Sequence, residues 1–156
     1  MSNRVTLPDD FREFLQCLNA HSVRYLVVGG HAVSFHGYPR FTVDVDLVVM
    51  PELENARALM ATLDDFGFGA LTLTADDFTR PVTVALGRAP YQIGIMTYIK
   101  GVEVDEAWSR RVSGALDGVD VFFVSKTDLI ANKRAVGRPE DLADIERLRD
   151  EDEPAG

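Results

Sequence analysis

Two spacings of apolar residues alternate along the chain and divide it into short elements. Behind a pair of aspartates, apolar residues recur every three or four positions, which predicts a first helix over residues 9–20. The run YLVV at 25–28 predicts a short buried strand, and two glycines lead from it into a brief helix over roughly 31–36. A second strand is predicted over residues 42–49.

The alternation continues to the end of the chain. The further predicted elements are, in chain order, a helix opening at Pro51, a capped helical turn from Thr74 to Asp77, strands over 81–86 and 91–99, a helix over 104–111, a strand over 119–124, a helix from Ser125 to about Gly137 and a last helix from Pro139. This order indicates an α/β or α+β fold, a mixed β-sheet flanked by helices with helices at the C-terminal end. Without repeats or linkers, residues 1–150 read as a single domain, and residues 151–156 as an acidic disordered tail.

Composition narrows the classes of function. The net charge is −9, from 25 acidic and 16 basic residues among 156, which disfavours a broad DNA-binding surface but leaves room for a local basic pocket. No stretch approaches the roughly 18 apolar residues of a membrane span, and the N-terminus lacks the apolar core of a signal peptide. The single Cys17 excludes an internal disulfide. We therefore expect a cytoplasmic protein.

Two carboxylates and two glycines form the pattern that carries chemistry. Asp44 and Asp46 are two residues apart in a predicted strand, so they project from one face, where their charges repel unless water or a cation screens them. Mg²⁺ prefers a few carboxylates together with waters and substrate phosphates. Gly29 and Gly30, separated from Asp44 by thirteen residues, end the first strand and would let phosphate oxygens approach backbone N–H groups.

This pattern resembles the signature of the polymerase-β-type nucleotidyltransferase superfamily. The stretches GYPRFTVDVDLVV and DLIANKRAVGRPEDLADIERL are similar to small bacterial proteins of its AbiEii toxin-like and minimal nucleotidyltransferase subgroup, so the resemblance covers about residues 20–150. It implies that Asp44 and Asp46 bind Mg²⁺ or Mn²⁺ and that Gly29 and Gly30 meet the triphosphate. It also implies that a nucleoside monophosphate moves from an NTP to an RNA end or a protein hydroxyl, with tRNA or a cognate toxin or antitoxin as partner.

The sequence departs from the family pattern at one position. Relatives add a third carboxylate on a neighbouring strand, but Gly94 stands at that position, and residues 78–102 contain no Asp or Glu. Two interpretations follow. The first is an active nucleotidyltransferase; the alternative is a degenerate, non-catalytic member that binds nucleotide or a partner protein.

The basic residues and histidines leave alternatives open. Arg40, just before the second strand, is either a phosphate contact or a surface arginine. Lys126 and Lys133 share a face of one predicted helix, where they form either a triphosphate clamp or a solvated basic helix end. His31 could touch a nucleotide or simply lie at a helix terminus. His21 has no histidine partner, so no zinc site is predicted.

Overall fold

A mixed sheet with helices packed against it forms the centre of the protein, seen in a computed structural model that describes residues 7–37, 41–68, 72–88 and 91–152. The strands are β1 (Tyr25–Val28), β2 (Val45–Val49), β3 (Thr83–Arg88), β4 (Tyr91–Met96), β5 (Val112–Leu116) and β6 (Val119–Phe123). The helices are α1 (Asp9–Ala20), α2 (Gly29–Phe35), α3 (Leu53–Phe66), α4 (Val104–Ser109), α5 (Lys126–Val136) and α6 (Pro139–Asp152), and a 3₁₀ turn spans Ala75–Thr79. The predicted fold class is confirmed.

The shortest strand lies at the middle of the sheet. The strand order is β3-β4-β2-β1-β6-β5. β1 pairs antiparallel with β2 and parallel with β6, and β2 pairs parallel with β4. All four residues of β1 are buried, as expected of a central strand covered on both faces. The C-terminal end of β1 therefore opens onto α2 in the centre of the molecule.

The apolar core that covers the sheet includes the contact between α1 and α3. Phe14 of α1 is fully buried, and its ring meets the ring of Phe66 edge-on with centroids 5.3 Å apart. A second edge-on contact joins Phe14 to Phe68 at 6.4 Å. Edge-to-face aromatic pairs are stabilised beyond the area they bury, so Phe14 fixes α1 against the end of α3.

Short-range sequence signals predict several elements correctly. The first helix spans the predicted residues 9–20. The capping box of Thr74 and Asp77 is formed. Ser125 accepts a hydrogen bond from the backbone N–H of Asp128 at the start of α5, and Gly137 ends that helix with φ +73°. Each of these features depends on residues only a few positions apart, which is why local sequence alone indicates them.

Other boundaries differ from the prediction because tertiary contacts set them. β2 begins at Val45 rather than at residue 42, since its neighbour β1 ends at Val28, opposite Asp46, and the chain then turns into α2. α2 begins at Gly29 rather than at residue 31, and α3 at Leu53 rather than at Pro51.

β5 is missing from the predicted elements. Its sequence VSGAL contains three small residues, which have weak preference for strands. The structure supplies the reason for Gly114, since a Cβ there would lie 2.6 Å from the Phe35 ring and 2.8 Å from the Phe123 ring. Those two rings stack with centroids 4.0 Å apart and occupy the space that a side chain would need.

Two further features of the structure concern the predicted C-terminal tail and the expected lack of a membrane span. α6 extends to Asp152, two residues into the predicted tail, and residues 153–156 lie outside the described residues. In the ranges that the structure describes, no helix is long and apolar enough to cross a membrane.

The packing of α1 predicts a large difference between two phenylalanine truncations. Phe14→Ala removes a fully buried ring, so we expect the free energy of unfolding to fall by about 3 to 5 kcal/mol. Phe41→Ala removes the same atoms from a side chain that is 91% exposed, so we expect a change within about 0.5 kcal/mol. Urea unfolding of both variants checks this, and equal losses would contradict the packing described.

Candidate active site at the end of the central strand

Three backbone segments meet at the C-terminal end of β1. Asp46 of β2 lies opposite Val28, the last residue of β1, and on its other side it lies opposite Gly94 of β4. Gly29 follows Val28 directly and begins α2. The carboxylate of Asp46 is thus surrounded by β1, α2 and β4, and it is half-buried.

Two glycines leave room for the two oxygens of this carboxylate. A Cβ at Gly29 would lie 2.6 Å from Oδ2 of Asp46, and a Cβ at Gly94 would lie 2.6 Å from Oδ1. Real Cβ atoms do not approach other heavy atoms so closely. Gly29 also has φ +68°, a backbone conformation that other residues adopt only at a cost. The sequence prediction that Gly94 shares a sheet face with Asp46 is confirmed by their pairing.

The second carboxylate lies beside the first. Asp44 is exposed, precedes β2 and accepts a hydrogen bond at Oδ1 from the backbone N–H of Gln92, 3.1 Å away. Burial raises the pKa of Asp46, and the charge of Asp44 raises it further. No sequence pattern indicates Gln92, because its contribution is a backbone N–H group. The predicted pair of neighbouring carboxylates is therefore present.

Gly30 lies against the same loop. A Cβ on Gly30 would lie 3.1 Å from Oγ1 of Thr42, and that hydroxyl is within 3.4 Å of the Asp44 backbone oxygen. The first turn of α2 is therefore packed closely against the residues that lead into β2. A larger residue at position 30 would push this loop and Asp44 away from α2.

The donor set fits a divalent cation. Within the described part of the chain, the raised pKa of Asp46 has burial and the charge of Asp44 as its causes, and no hydrogen-bond donor or cationic side chain opposes them. A half-buried carboxylate beside an exposed one supplies the oxygen ligands that hard cations such as Mg²⁺ and Mn²⁺ take. Among the described residues, no third Asp, Glu, His or Cys joins Asp44 and Asp46 in a group compact enough to share an ion.

His31 is a buried residue next to the site and does not line it. Its side chain is only 2% exposed, so it does not present its ring to a nucleotide in solution. Burial lowers the pKa of His31, while the backbone and charge of Asp44 beside the ring oppose this effect. Neither ring nitrogen forms a well-aligned hydrogen bond.

The structure places Lys133 between α5 and α6 rather than beside Asp44 and Asp46. Lys133 is buried in α5, with Nζ 3.0 Å from Oδ2 of Asp144 and 3.5 Å from Oδ1 of Asp141. Both of these carboxylates are almost fully buried, and Arg138 donates a further hydrogen bond to Asp141 at 2.7 Å. Lys133 therefore joins α5 to α6. Arg40 lies outside the described residues.

Comparisons with known proteins indicate the family and the fold of the chain. Residues 5–149 match a family model described as "Nucleotidyltransferase of unknown function (DUF6036)". The fold is similar to the crystal structure of the lincomycin-bound lincosamide antibiotic adenylyltransferase LnuA, with a TM-score of 0.59 and 16% sequence identity over 94% of this chain and 98% of that chain. At this identity the likeness concerns the fold. No curated protein matches the sequence.

The close approach of Gly29 to Asp46 can be tested against a matched glycine. Gly118 has φ +80° and nothing within 4 Å of a Cβ built on it, so Gly118→Ala carries only the backbone penalty of about 1 kcal/mol. Gly29→Ala adds a collision with the Asp46 carboxylate. We expect Gly29→Ala to lower the free energy of unfolding by more than Gly118→Ala does. We also expect Gly29→Ala to weaken Mn²⁺ binding, measured by electron paramagnetic resonance, and Gly118→Ala to leave it unchanged. Equal behaviour of the two variants would refute the contact.

The position of Lys133 predicts a structural role that is separable from nucleotide binding. Lys133→Met leaves two buried carboxylates without their shared ammonium group, so we expect a loss of about 3 kcal/mol in the free energy of unfolding. Arg134→Met, at the exposed next position of α5, should change it little. Urea unfolding checks the stability and equilibrium dialysis checks ATP affinity. Unchanged stability with weakened ATP binding would show instead that Lys133 is a nucleotide ligand.

Proposed function

Because the chain belongs to the DUF6036 family of nucleotidyltransferases, we propose that it is a metal-dependent enzyme that moves a nucleoside monophosphate from an NTP to a hydroxyl group. One observation carries the proposal. The Asp46 carboxylate lies at the end of the central strand with a glycine beside each oxygen and Asp44 next to it. The two glycines give this carboxylate room at a position where a packed sheet would otherwise place side chains, and a cation held by Asp46 and Asp44 would offset their charge.

The roles of the residues follow from their positions. Asp44 and Asp46 would hold Mg²⁺ or Mn²⁺, which when bound polarises phosphate oxygens and stabilises the leaving pyrophosphate. Gly29 and Gly30 would let the triphosphate approach the backbone at the start of α2. The acceptor oxygen would form a bond to the α-phosphorus as the bond to the β-phosphate oxygen breaks. Its proton would pass to solvent, because position 94 supplies no carboxylate to accept it.

The missing carboxylate lowers the expected rate. Loss of a general base commonly reduces a rate by about 10² to 10⁴-fold, so turnover would be slow while nucleotide binding would survive. The same observation favours a second candidate function. In that case the protein is a non-catalytic member of the family that binds an NTP, or a partner protein, through the retained site.

The acceptor is proposed by analogy with the AbiEii toxin-like subgroup that the sequence resembles. It would be an RNA end, such as that of tRNA, or a hydroxyl of a partner protein in a toxin–antitoxin or defence system. A net charge of −9 means that an RNA acceptor would be held through local contacts rather than a broad basic surface. A small-molecule acceptor belongs in the same assay, since the structurally similar LnuA is an antibiotic adenylyltransferase.

The basic residues have a limited part in this proposal. Arg40 remains a predicted phosphate contact. Lys133 would reach a triphosphate only after leaving Asp141 and Asp144, so we assign the phosphate contacts to the backbone at Gly29 and Gly30 first.

Transfer of label from α-labelled NTPs tests the proposal. The wild type is incubated with Mg²⁺ or Mn²⁺ and with tRNA, cell protein or lincomycin as acceptor. We expect slow labelling of one acceptor class, loss of labelling in Asp46→Asn, and labelling raised by about 10²-fold or more in Gly94→Asp. Gly94→Ala is the matched control, because it introduces the same Cβ beside Asp46 Oδ1 without a carboxylate.

The possible outcomes separate the two candidate functions. Label with the wild type supports an active enzyme with two carboxylates. Label with Gly94→Asp alone, together with metal-dependent ATP binding by the wild type, supports the non-catalytic function. Absence of both labelling and ATP binding in a folded wild type would refute both.

A further inference from the structure

Three metal-ligating side chains come together at the C-terminal ends of α1 and α3. They are Cys17 and His21 from the end of α1 and Asp65 from the last turn of α3, and one ligand atom from each lies within 4.8 Å of the other two. Cys17 and His21 are four residues apart, the spacing that places two side chains on one face of a helix. We refer to these three residues as the α1–α3 cluster. Cys17 and His21 precede β1 in the chain and Asp65 follows β2, so none of the three belongs to the segments that carry Gly29 and the aspartate pair.

The contacts inside the α1–α3 cluster show that the ligand atoms of its three side chains already face one another. Nε2 of His21 is 2.6 Å from Oδ2 of Asp65. The thiol of Cys17 donates only a long hydrogen bond, 3.9 Å, to the backbone oxygen of Thr62, one turn earlier in α3. Cys17 and His21 are half-buried, whereas Asp65 is exposed, so an ion can reach the cluster from solvent.

The helices that carry these side chains also favour a cation. The ends of both helices lie at the α1–α3 cluster, and neither α1 nor α3 has a basic residue in its last turn. The negative ends of two helix dipoles are therefore left without a lysine or arginine in those turns. Packing of Phe14 against Phe66 holds the two helix ends in register.

We propose that Cys17, His21 and Asp65 form a second cation site, for a borderline-soft divalent ion of the Zn²⁺ class, with one coordination position left to water. Sulfur, imidazole and carboxylate together are ligands of Zn²⁺ and Co²⁺, whereas Mg²⁺ takes oxygen ligands and would remain at Asp44 and Asp46. Zinc bond lengths place tetrahedral ligand atoms about 3.3 to 3.8 Å apart. An ion bound here would therefore replace the 2.6 Å contact between His21 and Asp65 and draw the three ligand atoms, now within 4.8 Å of one another, around itself.

The site would act as a clamp between α1 and α3. A bound ion would take the Cys17 sulfur as thiolate, release its proton to solvent and join the ends of the two helices. Since an ion that binds the folded state alone stabilises it, the melting temperature would rise with Zn²⁺ concentration.

Titration with Co²⁺ tests the site directly. Cys17 is the single cysteine of the chain, so a sulfur-to-cobalt charge-transfer band can arise only from this residue. We expect the band in the wild type to saturate at one ion per chain, to be displaced by Zn²⁺ and to be absent in Cys17→Ser. Asp65→Asn and His21→Asn should weaken Co²⁺ binding by more than tenfold.

Two controls keep the result specific. Asp64→Asn changes the neighbouring exposed carboxylate of α3 and should leave the band unchanged, and so should Asp44→Asn at the other site. Circular dichroism without metal shows whether each variant is folded. The proposal is overturned if the folded wild type gives no band, if Asp65→Asn and His21→Asn bind Co²⁺ as tightly as the wild type, or if one ion binds per two chains.

Discussion

The structure of the site depends on the space that the Asp46 carboxylate occupies between two backbone segments. Its oxygens lie where the Cβ atoms of Gly29 and Gly94 would otherwise be. β1, β2 and β4 can therefore meet at the centre of the sheet with a charged group between them instead of an apolar contact. A half-buried carboxylate next to a second one is unfavourable without compensation, as the raised pKa of Asp46 indicates. The folded protein thus keeps an unfavourable interaction between two carboxylates at the position where a bound cation would neutralise it.

The elements that sequence patterns predict correctly rest on short-range rules. Helix periodicity defines α1 to the residue, and capping residues such as Ser125 locate the start of α5. Strand alternation predicts that Asp44 and Asp46 project to one face, because the side-chain period of a strand is fixed. The pairing that puts Gly94 beside Asp46 joins two strands far apart in the chain, and from the sequence only the family resemblance implies it.

The features that sequence patterns do not predict depend on residues far apart in the chain. From its own helix, Lys133 is predicted to be an exposed cation. In the structure α6 packs on α5 and places Asp144 against the Lys133 ammonium group. β5 has no strand signal, since Gly114 is selected by the rings packed on it. The α1–α3 cluster has only a partial local signal, the four-residue spacing of Cys17 and His21, for the same reason. His21 has no histidine partner, and its contact, Asp65, is 44 residues away on another helix.

Gly29 and Gly94 touch the same carboxylate, but the backbone constrains them differently. At Gly29 the positive φ alone favours glycine, so the fold itself accounts for that residue. At Gly94 the backbone is in an ordinary conformation, and the nearest obstacle to a side chain is the end of the Asp46 carboxylate, which can rotate. Folding therefore does not demand glycine at position 94. The missing third carboxylate at position 94 is therefore explained by the chemistry of the site and not by the fold, and it is the reason why both slow transfer and simple nucleotide binding are proposed for this protein.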